Sequence, residues 1–168
     1  ELSSGPGADY FRPNVWPNTP DILHEQLQAG DAPTYMARLV LAATLAGSYG
    51  IYGPAYELRE HRPREHGSEE YLDSEKYQLR HWNHDDPESP APFIARVNRI
   101  RHDNPALQTH RGVRFLPVGT DADAGRVEVD PARLRLVRIE VDRDDHHVGL
   151  ERVVLGRRLA RIGQQHVV

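Results

Sequence analysis

The run Thr34 to Ala46 (TYMARLVLAATLA) constrains most strongly what this chain can fold into. Read at 3.6 residues per turn, Met36, Leu39, Val40 and Ala43 share one face, while Leu41 and Leu45 make the other side apolar too. A helix that is apolar nearly all round is normally buried inside a larger body, so this one calls for neighbours on more than one side. Gly47 is its expected stop. Nothing in the chain approaches the roughly 20 apolar residues of a membrane span. A net charge of -4 and a pI near 6.2 leave no electrostatic footprint for nucleic acid. With no cysteine there is neither a disulfide framework nor a thiolate metal site. No signal peptide is visible in Glu1-Leu2-Ser3-Ser4-Gly5, and the expected location is cytoplasmic.

The segments around this helix alternate between extended and helical patterns, which reads as α/β. The X-Pro steps at Pro13, Pro17 and Pro20 push their preceding residues toward extended geometry, and a strand is expected around Tyr10 to Trp16. Thr19, Pro20 and Asp21 then read as the cap, first position and first turn of a helix reaching Gln28 and ended by Gly30. After the apolar helix, Tyr49-Gly50-Ile51-Tyr52-Gly53-Pro54 reads as a short buried strand closing in a turn. Residues 57–90 form a long polar stretch without periodicity, and loops of that length inside a domain are often functional. Phe93, Ile94, Val97 and Ile100 give an amphipathic helix starting near Ser89 and ending before Pro105. Beyond Arg111, a strand is expected at Val113, Phe115 and Leu116, and Leu134, Leu136, Ile139 and Val141 alternate as in a strand.

Few residues suggest chemistry on their own. Asp21 stands at a junction between an extended segment and a helix, the end of the strands where α/β barrels gather their active sites. An ordinary helix-start aspartate would look the same. The loop Glu69 to Tyr77 (EEYLDSEKY) offers carboxylates, a lysine and aromatic rings, a composition suited to sugar and also to plain solvent. Lys76 is the single lysine among 21 basic residues. Either coding bias removed the others, or this position needs a compact ammonium that a guanidinium cannot replace. His81 and His84 with Asp85 and Asp86 have ligand-like spacing, yet no partner pair is fixed by sequence, and His146-His147 lies far off in the tail. No metal and no cofactor is expected. There is no phosphate-cradling glycine loop and no activated serine or cysteine nucleophile.

Taken together, Phe11-Arg12-Pro13-Asn14, Asn18-Thr19-Pro20-Asp21-Ile22-Leu23, Tyr49-Gly50-Ile51-Tyr52, the run Gly67 to Tyr77, Arg96 to Arg101 and Asn104-Pro105-Ala106-Leu107 resemble one family in order and spacing. It is the alpha-1,4-glucan:maltose-1-phosphate maltosyltransferases, a branch of the alpha-amylase superfamily (glycoside hydrolase family 13). The motifs cover roughly residues 1–116. The resemblance implies a (β/α)8 TIM barrel, of which residues 1–110 would be the C-terminal part. Phe11 to Trp16 would be the seventh strand, Gly50 to Gly53 the eighth, and the helix Pro92 to Asp103 would close the ring. Residues 111–168 would begin a C-terminal β domain. The tail from about Gly119 departs from the family, as a divergent segment or one read in the wrong frame in place of a β-sandwich. Smaller departures are Val15, where an aromatic is usual, and Asp31-Ala32, where Gly-Arg is usual.

The resemblance also implies an activity: transfer of a maltosyl unit from alpha-maltose 1-phosphate to the non-reducing end of an alpha-1,4-glucan, by retaining double displacement. By position Asp21 matches the carboxylate that stabilises the transition state, and Lys76 and Tyr77 match residues that bind the hydroxyls of the donor. The nucleophile and general acid lie upstream in the family and are matched by no residue here, so the chain alone is expected to be inactive, and prone to aggregate. The family is typically dimeric, so the parent is expected to be a homodimer, with no nucleic acid or membrane partner. Two rival readings keep the same residues: another hydrolase or transglycosylase of the superfamily, and a non-catalytic glucan-binding remnant using Lys76 and Tyr77.

Overall fold

The structure is a computed structural model that describes residues 6–110, 113–115, 124–129, 135–140, 152–155 and 158–160. Its first part is organised by strand β1 (Asn14–Val15), helix α1 (Ala32–Leu45) and strand β2 (Ser48–Tyr49). The two strands run parallel, with Asn14 beside Ser48 and Val15 beside Tyr49. Parallel strands need a crossover between them, here through α1, and that is the repeat of an α/β fold.

Helix α1 begins at Ala32, two residues before its apolar run, because Asp31 caps it. The Asp31 carboxylate accepts the Thr34 amide at 2.9 Å and the Thr34 hydroxyl at 2.7 Å, and Pro33 in the first turn has no amide to satisfy. The stop is made from a distance. The Arg101 guanidinium, on helix α3 (Ala91–His102), donates to the carbonyls of Ala43, of Ala46 at 3.3 Å and of Gly47 at 2.8 Å. These are carbonyls a helix C-terminus leaves without partners, and a cation there is also favoured by the helix dipole. The expected burial holds for one side only. Leu39, Val40 and Ala43 are buried in a core with Leu23, Leu27, Tyr35, Tyr56, Tyr71, Ile94 and Val97, whereas Leu41 is 39% exposed.

The strand expected around Tyr10 to Trp16 is confined to Asn14–Val15, and two further expected elements differ. No helix covers Pro20 to Gln28. The Thr19 hydroxyl does accept the amides of Asp21 (3.3 Å) and Ile22 (3.0 Å), but it closes a turn and not a helix. The reason lies one residue on: the Leu23 amide donates to the carbonyl of Glu69 at 2.5 Å and is lost to any helix ladder. Only Glu25–Leu27 makes a 3-10 turn, capped by the His24 ring. The second difference is at Tyr49 to Pro54. The strand stops at Tyr49, and Gly53–Glu57 forms a short helix, α2. Gly50 is where the Trp16 indole crosses the backbone, and a Cβ there would sit 2.5 Å from the ring.

Asn18 decides the geometry of this region. It is 3% exposed, its Oδ1 accepts the Tyr52 amide at 2.9 Å, and its Nδ2 donates to the Tyr71 hydroxyl at 2.9 Å and the Tyr52 carbonyl at 3.4 Å. One side chain thus joins the segment after β1, the entry to α2 and the long loop. From Leu58 to Pro90 that loop contains no helix or extended strand, and only an isolated bridge pairs Pro63 with Tyr71.

Further on, β3 (Val113–Phe115), β4 (Ala124–Val129), β5 (Arg135–Glu140), β6 (Arg152–Leu155) and β7 (Arg158–Ala160) form an antiparallel sheet in sequence order. Val113 pairs with Val129, and Leu136 with Glu128. Four of these strands lie past Gly119. Leu116, Leu134, Val141, His146 and His147 fall outside the described residues.

Replacing Asn18 by alanine leaves a buried amide and a buried hydroxyl without their partner, and is expected to cost about 3 kcal/mol. A urea-unfolding midpoint unchanged from that of the original protein would contradict this reading of Asn18.

Candidate functional site

The turn at Thr19 to Ile22 holds Asp21 outward, and the bond from the Leu23 amide to Glu69 lays residues 57–90 alongside it. Within that loop the Arg64 amide donates to the Glu70 carbonyl at 2.7 Å and the Leu72 amide to the Arg62 carbonyl at 2.9 Å, which zip 62–64 to 70–72. Ser74, buried, then turns the chain. Its hydroxyl accepts the Lys76 amide at 3.3 Å and its carbonyl the Tyr77 amide at 3.0 Å. The local result is that Lys76 and Tyr77 project on the same side as Asp21.

All three residues singled out from the sequence are brought together. Lys76 Nζ lies 2.6 Å from Asp21 Oδ1 and 5.4 Å from the centre of the Tyr77 ring. A fourth residue joins them. Glu70 Oε1 accepts the Tyr77 hydroxyl at 3.3 Å and faces Lys76 Nζ at 3.5 Å, while its Oε2 takes Arg64 at 2.8 Å. The hydrogen bond to Asp21, with Glu70 adding to it, holds the Lys76 ammonium above its ordinary range. The hydrogen bond from Arg64, helped by Lys76 and Tyr77 against partial desolvation, holds the Glu70 carboxyl below the usual carboxylate range. Side-chain exposures of 63% for Asp21 and 37% for Lys76 leave the pair open to a ligand. Carboxylate, ammonium and phenol together present acceptors and donors suited to hydroxyl groups. Away from these four residues, an open hollow of about 540 Å³ lies between the 3-10 turn and the loop, lined by Glu25, Gln28, Pro63, His66, Gly67 and Glu69.

Other carboxylates of the loop keep it in shape. Glu75 accepts the Tyr52 hydroxyl and, at 3.0 Å, the Trp82 indole N–H. The Arg80 guanidinium lies 4.2 Å from the Trp82 ring centre and 2.6 Å from Glu60 Oε2. Glu60 is buried and accepts as well from Arg62 Nε at 3.3 Å and from the amides of His61 (3.1 Å) and Arg62 (3.2 Å). Burial alone would raise its carboxyl pKa, but the hydrogen bonds from Arg80 and Arg62 outweigh that and hold it below the usual range. Sequence reasoning missed Glu60, Glu75 and the particular place of Glu70, which stand in an acidic loop like their solvated neighbours. The one usable signal was Asn18 beside Thr19-Pro20-Asp21, a polar residue in an extended segment next to a candidate site.

His81, His84 and Asp85 are exposed, and among the described residues no group of three or more His, Asp or Glu side chains is placed to share a metal ion.

No protein-family model matches the chain. Curated relatives do. The alpha-1,4-glucan:maltose-1-phosphate maltosyltransferase of Chlorobaculum tepidum is 48% identical over 153 residues, covering 88% of this chain and 23% of that protein. Its namesake in Salinibacter ruber is 53% identical over 116 residues, 69% of this chain and 17% of that protein. The one in Mycolicibacterium smegmatis is 48% identical over 128 residues, 74% of this chain and 18% of that protein. The chain thus spans about a fifth of the length of the curated relatives it matches. The Chlorobaculum match corrects one expectation. Covering 88% of a 168-residue chain, it runs well past Gly119 wherever it begins, so the departure there is not complete.

Glu60 gives the loop a pH dependence. A carboxyl whose folded pKa is depressed adds stability above the unfolded value of about 4.3, and that stability is lost as pH falls through the lower folded value. The melting temperature is expected to fall with acidification below about pH 4.3, and Glu60→Gln is expected to flatten that acid limb while lowering stability at pH 7. An acid limb of equal slope in both proteins would count against the assignment.

Proposed function

We propose that this chain, a homologue of one stretch of the alpha-1,4-glucan:maltose-1-phosphate maltosyltransferases, supplies donor-binding and transition-state residues to such an enzyme. The reaction moves a maltosyl unit from alpha-maltose 1-phosphate to the non-reducing end of an alpha-1,4-glucan. The observation that carries the reading is the meeting of Asp21 with Lys76 at 2.6 Å beside Tyr77, from two distant segments of a chain about half identical to proteins of that name.

In this reading residues 1–110 are the last two strand–helix units of a (β/α)8 barrel, with the seventh strand at β1, the eighth at β2 and not at Gly50 to Gly53, where there is no strand, and the β3–β7 sheet the start of a C-terminal β domain. The parallel pairing of β1 and β2 across α1 supports the first part, and the antiparallel order of β3 to β7 the second. Asp21, on the turn that follows β1, stands where strand ends present catalytic groups. Its carboxylate stabilises the positive charge that develops on the sugar ring in an oxocarbenium-like transition state. Lys76 and Tyr77 bind donor hydroxyls. Among the described residues Asp21 and Glu70 occupy two of the three ammonium donors, which leaves one N–H for a sugar oxygen. A guanidinium is too broad to keep both carboxylate contacts and that opening, which fits the retention of one lysine in an arginine-rich chain. The nucleophile and the general acid are matched by no residue of this chain. The parent is read as a cytoplasmic homodimer, and no helix of the described residues is long and apolar enough to cross a membrane.

In the full-length protein, Asp21→Asn is expected to lower kcat by about a hundredfold or more with a small change in KM, because it removes charge needed chiefly in the transition state. Lys76→Arg is expected to raise KM for maltose 1-phosphate by about tenfold with a smaller change in kcat. Wild-type kinetics from both variants would refute the assigned roles. The 168-residue chain by itself is expected to release no phosphate from maltose 1-phosphate; measurable release would show that this chain holds the missing nucleophile and acid.

A further inference from the structure

We infer that Glu70 is a positioning residue for the donor-binding pair: one carboxylate oxygen faces both the Lys76 ammonium and the Tyr77 hydroxyl, and the other is fastened by Arg64. The inference rests on the reading of Lys76 and Tyr77 given above and adds a residue that the reading does not use.

Lysine and tyrosine side chains at an open surface keep most of their rotamer freedom, and a ligand that uses both must order both. Tyr77 is 70% exposed, so packing does not hold it. Its hydroxyl has Glu70 as acceptor at 3.3 Å, and Lys76 Nζ meets the same oxygen at 3.5 Å. Glu70 is well placed for this because it is fixed on several sides. Its amide donates to the Ser68 hydroxyl at 3.0 Å, its carbonyl accepts the Arg64 amide at 2.7 Å, and its neighbour Tyr71 is buried in the core and bound to Asn18. Side chain and backbone are thus both anchored, and the carboxylate is a firm reference point for two otherwise free groups.

Charge supports the same role. Asp21 is needed for the sugar, so a ligand hydroxyl shares the carboxylate that Lys76 contacts at 2.6 Å and weakens its hold on the ammonium. Glu70 then remains beside the ammonium, so Lys76 is not left without a counter-charge at that moment. Arg64 in turn balances Glu70, and the four groups sum to zero. Glu70 needs no contact with substrate to act in this way. Its effect passes through Lys76 and Tyr77.

That dependence can be tested in the full-length protein with maltose 1-phosphate as donor. Glu70→Ala is expected to raise KM about tenfold with kcat changed less than about threefold, and to change KM less than about twofold when introduced into Lys76→Ala/Tyr77→Phe. Glu70→Gln, which keeps the shape and one acceptor oxygen, is expected to fall between Glu70→Ala and wild type. A KM within about twofold of wild type for Glu70→Ala, or an equal KM increase in both backgrounds, would overturn the inference. Should Glu70→Ala not fold, Glu70→Gln in the two backgrounds is read by the same criterion. A Lys76→Ala effect without a Glu70 effect sinks this inference alone, whereas absence of maltosyl transfer by the wild-type protein sinks the parent reading and takes the inference with it.

Discussion

The side-chain amide of Asn18 stands where three stretches of chain with little regular structure of their own converge. It satisfies the Tyr52 amide and carbonyl and reaches the Tyr71 hydroxyl, all from a nearly buried position. An amide can do this because it carries acceptor and donor at once, and the low-dielectric surroundings make an unmet partner costly. The consequences run outward. Tyr52 is held at the entry to α2, so β2 ends early. Tyr71 is held in the core, which sets the start of the run leading to Lys76. Asn18 is also three residues before Asp21, so the two halves of the candidate site are measured from the same point.

The Asp21–Lys76 contact itself contributes little to holding the fold together. Both side chains are well exposed, and exposed ion pairs are screened by solvent and offset by ordering of long side chains. The fold is carried instead by the buried cluster around α1, by the Arg101 guanidinium on the end of that helix, and by the buried Glu60 within the loop. An ion pair that is short, open and dispensable for packing, and that is assembled from two segments by buried polar ties, is what a binding site needs and what a stabilising contact does not. The surrounding polar network is costly to bury, and here it is spent on the position of two loops.

Much of this was legible in the sequence, and the limits follow physical lines. The helix over the apolar run at Thr34 to Ala46, a last long helix beginning just after Ser89 and an extended stretch on either side of α1 follow from local pattern, although the strands themselves are only Asn14–Val15 and Ser48–Tyr49. The helix at Pro20 did not form because the Leu23 amide is claimed by Glu69, a partner dozens of residues away that no local rule can see. The helix α1 is closed by Arg101 for the same kind of reason, although Gly47 stood ready as a local stop. The motifs around Asp21, Lys76 and Tyr77 and, for Lys76, its isolation among arginines singled out in the sequence three residues that the structure places side by side. Glu70 was not singled out, since sequence alone cannot distinguish a carboxylate anchored by Arg64 from the solvated carboxylate beside it. Past Gly119 the motifs of the family run out in the sequence, yet the match to the Chlorobaculum protein, covering 88% of this chain, continues beyond that point.

The most direct measurement is a crystal structure of the full-length protein with maltose bound. The account predicts Asp21, Lys76 and Tyr77 on hydroxyls of one sugar, Lys76 still facing Glu70, and the Asn18 ties to Tyr52 and Tyr71 unchanged. Maltose seated elsewhere, with the Asp21–Lys76 pair intact and untouched by sugar, would contradict it.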